Sequence, residues 1–274
     1  MQKTILITGS TDGIGLATAK QIASLGHHVL LHGRNPAKLE EAEREVAQVS
    51  GAGQVECYQA DLSDLEEVEA LAKALAEKHQ HLDVVINNAG VFRVPNPVTK
   101  DGLDARFVVN TLAPYLLTQR LLPLMDSKGR VVNLSSAAQS PVNTDALAGR
   151  VQIGEDFAAY AQSKLALTIW SRAMAFSLED NSPSIVAVNP GSMLGSKMVQ
   201  EGFGVAGGDI GIGADILTRA SLSEEFAEAN GQYFDNDAHQ FASPHSDALN
   251  PEKVKDVMRA IESVLSELTA KAGN

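Results

Sequence analysis

The chain contains a single cysteine, Cys57, and no apolar run long enough to cross a membrane. One cysteine excludes an intrachain disulfide and a cysteine-ligated metal cluster. The first apolar run, 4–8, ends at Gly9 and is too short for a signal peptide or for a membrane span of about 20 residues. We therefore expect a cytoplasmic protein with no membrane partner.

Basic residues are also scarce, with 22 Lys and Arg against 34 Asp and Glu. The resulting formal charge of −12 argues against a nucleic-acid partner and against binding to anionic membranes. None of the seven histidines stands with a cysteine or carboxylate at metal-ligand spacing, so no metal site is predicted. The 44% hydrophobic and 20% charged content is ordinary for a globular chain of 274 residues.

Short apolar runs alternate with longer amphipathic segments along the chain. The short runs are continuous, which is typical of strands buried on both faces, and they cover 4–8, 28–32, 55–60, 83–87, 130–134 and 184–189. Helices are expected over 13–25, 36–48, 64–79, 102–124, 157–179 and 250–268. This order predicts an α/β fold with a doubly wound, mostly parallel, Rossmann-like sheet in one domain, 1–274.

A glycine-rich turn, "TGSTDGIG" (8–15), follows the first predicted strand and opens the first predicted helix. Small residues let such a turn bend tightly and bring its N–H groups to a pyrophosphate at the helix N-terminus. The spacing G-x-x-x-G-x-G differs from the more familiar G-x-G-x-x-G. The candidate cofactor-binding residues of the turn are Gly9, Ser10, Thr11, Asp12, Gly13, Ile14 and Gly15.

Further candidates stand where other predicted strands end, on the same rim of the sheet, which is where open α/β sheets bind ligands. "NNAG" (87–90) ends the fourth strand and "NPG" (189–191) ends the sixth. After the third strand, Asp61 has two alternative roles: a cofactor contact, or the cap of the next helix together with Ser63. The rim candidates for the cofactor are Asp61, Leu62, Asn88, Ala89, Gly90, Pro190 and Gly191.

Tyr160 and Lys164, in "AYAQSKLAL" (159–167), are four residues apart on a predicted helix and so share one face. A free tyrosine has a pKa of about 10, too high for a base at neutral pH. A cation at about 4 Å would favour the phenolate by about 4 kcal/mol at an effective dielectric of about 20, or about three pKa units. The pair can therefore serve acid–base chemistry if a hydride carrier lies beside it.

Five motifs in order, "TGSTDGIG", "NNAG", "NLSS" (133–136), "YAQSK" (160–164) and "NPG", resemble the classical short-chain dehydrogenase/reductase family. The stretches "DGLDARFVVNTLAPYLLTQRLLPLM", "AYAQSKLALTIW" and "NGQYFDND" are similar to its retinol dehydrogenase-like subgroup. The resemblance implies that Tyr160 is the general acid/base and that Lys164 lowers its pKa and contacts the cofactor. It further implies that Ser136, rather than Ser135, orients the substrate oxygen, and that Asn110 supports a water chain to Lys164.

Two departures accompany this resemblance. The segment between Ser136 and Tyr160 is longer than the classical pattern, as in the retinol dehydrogenase-like subgroup, and it is expected to lie over the substrate site or to block a usual subunit contact. We also expect no N-terminal membrane anchor of the kind often found in that subgroup. A glycine-rich run, 201–215, predicts a mobile loop, and a substrate lid is expected around 192–214.

The choice of dinucleotide is predicted from "HVLLHGRN" (28–35). NAD-specific relatives usually carry an acidic side chain at the end of the second strand, and here that position is Gly33. Arg34 follows and offers a fork of donors suited to a 2′-phosphate, so NADP(H) is expected to be preferred over NAD(H).

The sequence thus predicts an NADP(H)-dependent oxidoreductase that interconverts an alcohol and a ketone or aldehyde. Its partner is a small-molecule substrate, and a homo-oligomer is left open. An extended-type epimerase or dehydratase is one alternative, because it also uses Tyr and Lys four residues apart. A dinucleotide-sensing binding protein without turnover is the other.

Overall fold

One sheet of eight strands organises the chain, and a computed structural model describes residues 1–272. The strands are β1 (Thr4–Ile7), β2 (His28–Gly33), β3 (Val55–Gln59), β4 (Val84–Asn87), β5 (Arg130–Leu134), β6 (Ser184–Asn189), β7 (Tyr233–Asp235) and β8 (Gln240–Ala242). Their order is β3-β2-β1-β4-β5-β6-β7-β8, and all pairs are parallel except β7 with β8. The predicted doubly wound, mostly parallel sheet is confirmed.

Helices cover both faces of this sheet. They are α1 (Gly13–Ser24), α2 (Pro36–Ala47), α3 (Leu65–Lys78), α4 (Ala105–Phe107), α5 (Ala113–Leu121), α6 (Thr144–Leu147), α7 (Asp156–Ser177), α8 (Lys197–Phe203), α9 (Ile210–Leu222) and α10 (Pro251–Ala272). Ile5 and Ile7 of β1 enter the core beneath α1, α2 and α9, whereas Leu6 enters the core beneath α3, α5 and α7. Burial on both faces explains why the strand runs are continuously apolar.

Strands β7 and β8 were not predicted from the sequence. Each has three residues, too few for a hydrophobic pattern, and β7 runs directly into the polar residues Asn236 and Asp237. The strands form because Tyr233 pairs with Ala187 of β6 and with Ala242 of β8. Pairing with a neighbour that is distant in sequence cannot be seen in a local window.

The glycine-rich run 201–215 is not a continuous loop. Residues up to Phe203 belong to α8, which begins with a Ser196 side-chain cap on the Val199 N–H. From Ile210 the chain is helical again, with Asp209 capping α9. Capping and packing of α9 against α1 therefore outweigh the low helix propensity of glycine here.

The long segment between Ser136 and Tyr160 contains the short helix α6. Leu147 is fully buried, in the same cluster as Val257 and Ile261 of α10. This part of the insertion is therefore held against the C-terminal helix.

Candidate active site

The glycine-rich turn lies against the loop that follows β4. Gly9 has φ of 64°, and a Cβ atom there would lie 2.8 Å from the Cα of Ala89. The Asn88 side chain donates to the carbonyl oxygens of Thr8 and Gly9 at 2.8 and 3.0 Å. Two predicted cofactor motifs, 8–15 and 87–90, are thus one structural unit at the carboxyl ends of β1 and β4.

The predicted cofactor residues of this turn differ in exposure, because Ser10 is buried and Asp12 is exposed. Ser10 is fully buried, and its hydroxyl accepts a hydrogen bond from the His32 N–H at 2.9 Å. Asp12 caps α1 by accepting from the Gly13 N–H at 2.7 Å and lies 3.7 Å from Lys38. The Ser10 side chain therefore stabilises the turn from inside.

The Asp61 carboxylate closes a turn. Its Oδ1 accepts from the backbone N–H and the hydroxyl of Ser63 at 2.9 and 2.8 Å. Of the two alternative roles of Asp61, the helix cap shared with Ser63 is not formed, because Asp64 caps α3 through the Glu66 N–H. Leu62 is buried in the core beneath α3.

At the end of β2, Gly33 packs directly against the Thr11 side chain. A Cβ atom at position 33 would clash with the Thr11 methyl carbon, so a larger residue there would require the Thr11 side chain to move. Arg34 is exposed, and within residues 1–272 its side chain forms no ion pair or hydrogen bond. A free guanidinium beside a strand end without a carboxylate favours an anionic ligand.

Ser136, Tyr160 and Lys164 come together where β5 ends beside α7. The Lys164 Nζ lies 5.7 Å from the centre of the Tyr160 ring, and Ser136 lies close enough to Tyr160 to affect its pKa. Burial raises the pKa of Tyr160, and the neighbouring Ser136 hydroxyl opposes this rise. Tyr160 is therefore a protonated phenol at neutral pH in this structure.

Lys164 was expected to lower the pKa of Tyr160. Within residues 1–272 the Tyr160 pKa is instead raised, and Lys164 is not among the groups that shift it. Lys164 is 4% exposed and donates to the carbonyl oxygen of Leu134 at 2.7 Å, so its ammonium is directed to β5. Burial lowers the pKa of Lys164 itself to about 8. The lysine thus loses much of its own charge near pH 8, which weakens its field on the phenol.

Asn110 lies in a π-helical turn, Val108–Leu112, between α4 and α5. Its side chain accepts from the Val91 N–H at 2.8 Å and donates to the Val91 carbonyl oxygen at 2.9 Å. It also donates to the Ser163 hydroxyl at 2.9 Å. The amide therefore joins the loop after "NNAG" to the helix that carries Tyr160 and Lys164.

The two serines after β5 have distinct environments. Ser135 is buried and bonds the Thr168 hydroxyl at 2.6 Å, whereas Ser136 is partly exposed beside Tyr160. Sequence reasoning missed Tyr233, whose hydroxyl donates to the Ser136 carbonyl oxygen at 3.2 Å. Its only signal was its place in "NGQYFDND", which carried no chemical role by itself.

The "NPG" turn is hydrogen-bonded to residues at the end of β7 and just after it. Asn189 donates to Asp235 and Asp237 at 2.8 and 2.9 Å, and Asp237 accepts from the Ser192 N–H at 2.8 Å. The Pro190 carbonyl accepts from the buried Asn236 side chain at 2.9 Å. These contacts, also missed in sequence, anchor the chain where the expected lid begins.

Beyond this anchor, α8 lies over the site. Gly202 lies against the Phe92 ring, and Phe92 meets the Tyr160 ring edge-on with centroids 5.3 Å apart. Between α8 and the start of α1 is a cavity of about 530 Å³, lined in part by Lys20 and Lys197. Asp12 also lines this cavity, and Lys20 and Lys197 form ion pairs with Glu45 and Glu201, so the charge around it is mixed.

The sequence predicts neither a metal site nor a membrane-spanning helix. Among residues 1–272, no group of three or more His, Cys, Asp or Glu side chains is arranged to hold a metal ion. No helix in the same part of the chain is long and apolar enough to cross a membrane.

Comparison with known proteins matches residues 3–203 to the family described as short chain dehydrogenase. The chain is similar to retinol dehydrogenase 13 of Homo sapiens, with 29% identity over 89% of this chain and 80% of the relative. It resembles a solved structure from Mycobacterium paratuberculosis, with TM-score 0.79, 27% identity and coverage of 96% and 93% of the two chains. A metagenomic short-chain oxidoreductase solved in complex with NADP has TM-score 0.61, 28% identity and coverage of 80% and 90%.

Proposed function

The chain belongs to the short-chain dehydrogenase/reductase family, in its retinol dehydrogenase-like subgroup, and is an NAD(P)-dependent oxidoreductase. On this premise we propose that it interconverts an alcohol and a ketone or aldehyde, using Tyr160 as general acid/base and NADP(H) in preference to NAD(H). The convergence of Ser136 and Tyr160 beside the buried Lys164, whose Nζ lies 5.7 Å from the Tyr160 ring centre, is the observation that supports the proposed chemistry.

The two hydroxyl groups would act on one substrate oxygen. When bound, the nicotinamide supplies or accepts the hydride. Carbonyl reduction builds negative charge on oxygen, so the site needs one proton donor and a second hydrogen-bond donor. Tyr160, whose raised pKa keeps it protonated, donates the proton, and Ser136 orients the oxygen. Asn110 keeps α7 in place against the loop after β4.

The cofactor preference is supported by the end of β2. Arg34 is free to bind a 2′-phosphate, and residue 33 is glycine, so no carboxylate at this position repels the phosphate. A related structure was solved with NADP. The backbone of 8–15, the Asn88–Gly90 loop and the Pro190–Gly191 turn would line the cofactor, with the segment 192–214 as the lid.

A turnover screen tests this proposal. A panel of alcohols, aldehydes and ketones would be incubated with the protein and each dinucleotide, following absorbance of the reduced nicotinamide. We expect turnover of at least one apolar substrate, faster with NADP(H). Binding of the dinucleotide without oxidation or reduction of any compound would favour a sensing protein. Epimerisation of a nucleotide sugar with unchanged total cofactor would favour the epimerase alternative.

A further inference from the structure

His32 is a buried histidine between the glycine-rich turn and the end of β3. It is 3% exposed, with Nδ1 3.1 Å from the Gly9 backbone nitrogen and Nε2 3.1 Å from the Ala60 carbonyl oxygen. A backbone N–H can only donate and a carbonyl oxygen can only accept. The ring must therefore accept at Nδ1 and donate at Nε2, which is a single neutral tautomer.

Gly9 is consequently held from two sides. His32 accepts from its N–H, and Asn88 donates to its carbonyl oxygen at 3.0 Å. The next residue, Ser10, is bound to the backbone of His32, with its N–H donating to the His32 carbonyl at 3.0 Å. Gly9 and Ser10, two consecutive residues of the turn, are thus both hydrogen-bonded to His32.

We propose that His32 is a positioning residue for the dinucleotide, because its Nδ1 fixes Gly9 and thereby orients the N–H groups of the following turn toward the pyrophosphate. Groups that bind a ligand tightly must be held within about 0.5 Å of their working positions. This inference rests on dinucleotide binding at the turn 8–15. The inference concerns the pyrophosphate, which NAD(H) and NADP(H) share, and it does not depend on Arg34.

The tautomer is protected by burial. Desolvation lowers the pKa of His32 to about 4, while the hydrogen bond to Ala60 and the negative charge of Asp61 oppose this shift. Asp12, the other carboxylate near the turn, is exposed and caps α1. Protonation at Nδ1 would set two N–H groups against each other at Gly9, so the neutral ring is the form that holds the turn.

Two substitutions separate the two contacts of the ring. In His32→Asn the amide oxygen can take the place of Nδ1 and accept from Gly9, but nothing reaches Ala60. In His32→Gln the amide nitrogen can take the place of Nε2 and donate to Ala60, but the Gly9 N–H loses its acceptor. Each variant loses one hydrogen bond, so thermal denaturation should show similar losses of stability.

Dissociation constants for NADPH and NADH, measured by fluorescence titration, should differ between these variants. We expect His32→Gln to weaken both cofactors about tenfold relative to His32→Asn, in line with one hydrogen bond. His28→Gln is the matched control: His28 lies on the same strand with its ring 3.3 Å from Glu56, away from the turn. It should change stability without changing either dissociation constant.

Equal weakening by both His32 variants, or no weakening by either, would overturn the inference. If the wild type bound neither dinucleotide, the proposed function itself would fail, which is a separate result. The wild type also gives a test that needs no variant: nitrogen NMR of histidine-labelled protein should show His32 protonated at Nε2 and not at Nδ1. A ring protonated at Nδ1 at neutral pH would contradict the geometry.

Discussion

The two ends of the candidate site are built in different ways. At the dinucleotide end, backbone groups of 8–15 approach the loop after β4 closely, and Gly9 is required because a Cβ atom would meet Ala89. At the catalytic end, side chains from β5, α7 and β7 converge, and burial raises the pKa of Tyr160 while lowering that of Lys164. Backbone shape is decisive at the first end, and desolvation of side chains at the second.

Both ends nevertheless contain a buried titratable group whose pKa is lowered by desolvation. His32 is buried beneath the turn with a pKa lowered to about 4, and Lys164 is buried beside Tyr160 with a pKa lowered to about 8. The two groups differ in charge at neutral pH, because His32 is a neutral hydrogen-bond acceptor for Gly9 whereas Lys164 still carries most of its positive charge. Substitutions at each end should therefore have separable effects on binding and turnover.

The largest expected effect is at the catalytic end. Tyr160→Phe removes the hydroxyl that transfers the proton while retaining the ring that packs against Phe92. We expect kcat to fall by about 10²–10⁴-fold, the usual contribution of general acid–base catalysis, with the NADPH dissociation constant nearly unchanged. Steady-state rates and fluorescence titration would measure the two quantities. A variant with a tenth of the wild-type kcat would contradict the assignment.

The pH dependence of unfolding should distinguish the two buried groups. The His32 pKa is lower in the folded state than the usual 6.5, so the unfolded state binds more protons between pH 6.5 and about 4. The His32 contribution to stability should therefore decrease as the pH falls through this window, by about 3 kcal/mol. Lys164, lowered from 10.5 to about 8, should increase stability by a similar amount as the pH rises from 8 to 10.5.

Urea denaturation across pH would measure these contributions as differences between the wild type and one variant at a time. The difference from His32→Asn should change between pH 4 and 6.5, and the difference from Lys164→Met between pH 8 and 10.5. Differences that stay constant in these windows would show that the two residues titrate normally. The subtraction removes the acid-sensitive carboxylates that both proteins share, such as Glu56 and Asp237.

A smaller effect is expected at the outer part of the dinucleotide end. A hydrogen bond to a charged group contributes about 1.5–3 kcal/mol, so Arg34 should favour NADPH over NADH by about ten- to a hundredfold at low salt. Arg34→Ala should remove most of this preference and leave NADH affinity nearly unchanged. The preference of the wild type should narrow as salt is added.

Arg44→Ala is the matched control, because Arg44 is an exposed arginine at the opposite end of α2. It removes the same charge and should keep the NADPH preference. Equal affinity of the wild type for both dinucleotides, or loss of preference in the Arg44 variant alone, would count against the role of Arg34.

The smallest effect is expected from the proposed lid, 192–214, which joins the two ends. Seven of its 23 residues are glycine, and its regular structure is limited to α8 and the start of α9. Limited proteolysis should cut this segment first, and cofactor together with substrate should slow the cut a few-fold. First cleavage elsewhere, at a rate that ligands do not alter, would argue that the segment is not a lid.

The sequence by itself predicted much of the architecture. Continuous apolar runs such as 28–32 and 184–189 indicated buried parallel strands, since both faces of β2 and β6 are covered by helices. Local motifs also indicated which rim of the sheet holds the site, because the residues after a parallel strand must emerge at its carboxyl end. Ser136, Tyr160 and Lys164 were predicted from motif order, and the structure brings these three together.

Other features were decided by the tertiary structure alone. The strand β7 and its contacts from Tyr233 to Ser136 and from Asp237 to Ser192 depend on pairing with β6, some 45 residues away in the chain. His32 lies in the stretch 28–35 that predicted the dinucleotide, but its own proposed role follows only from the two backbone groups that the fold places at its ring nitrogens. The directions of the Tyr160 and Lys164 pKa shifts also came from the fold, because desolvation depends on every atom packed around a group and not on its neighbours in sequence.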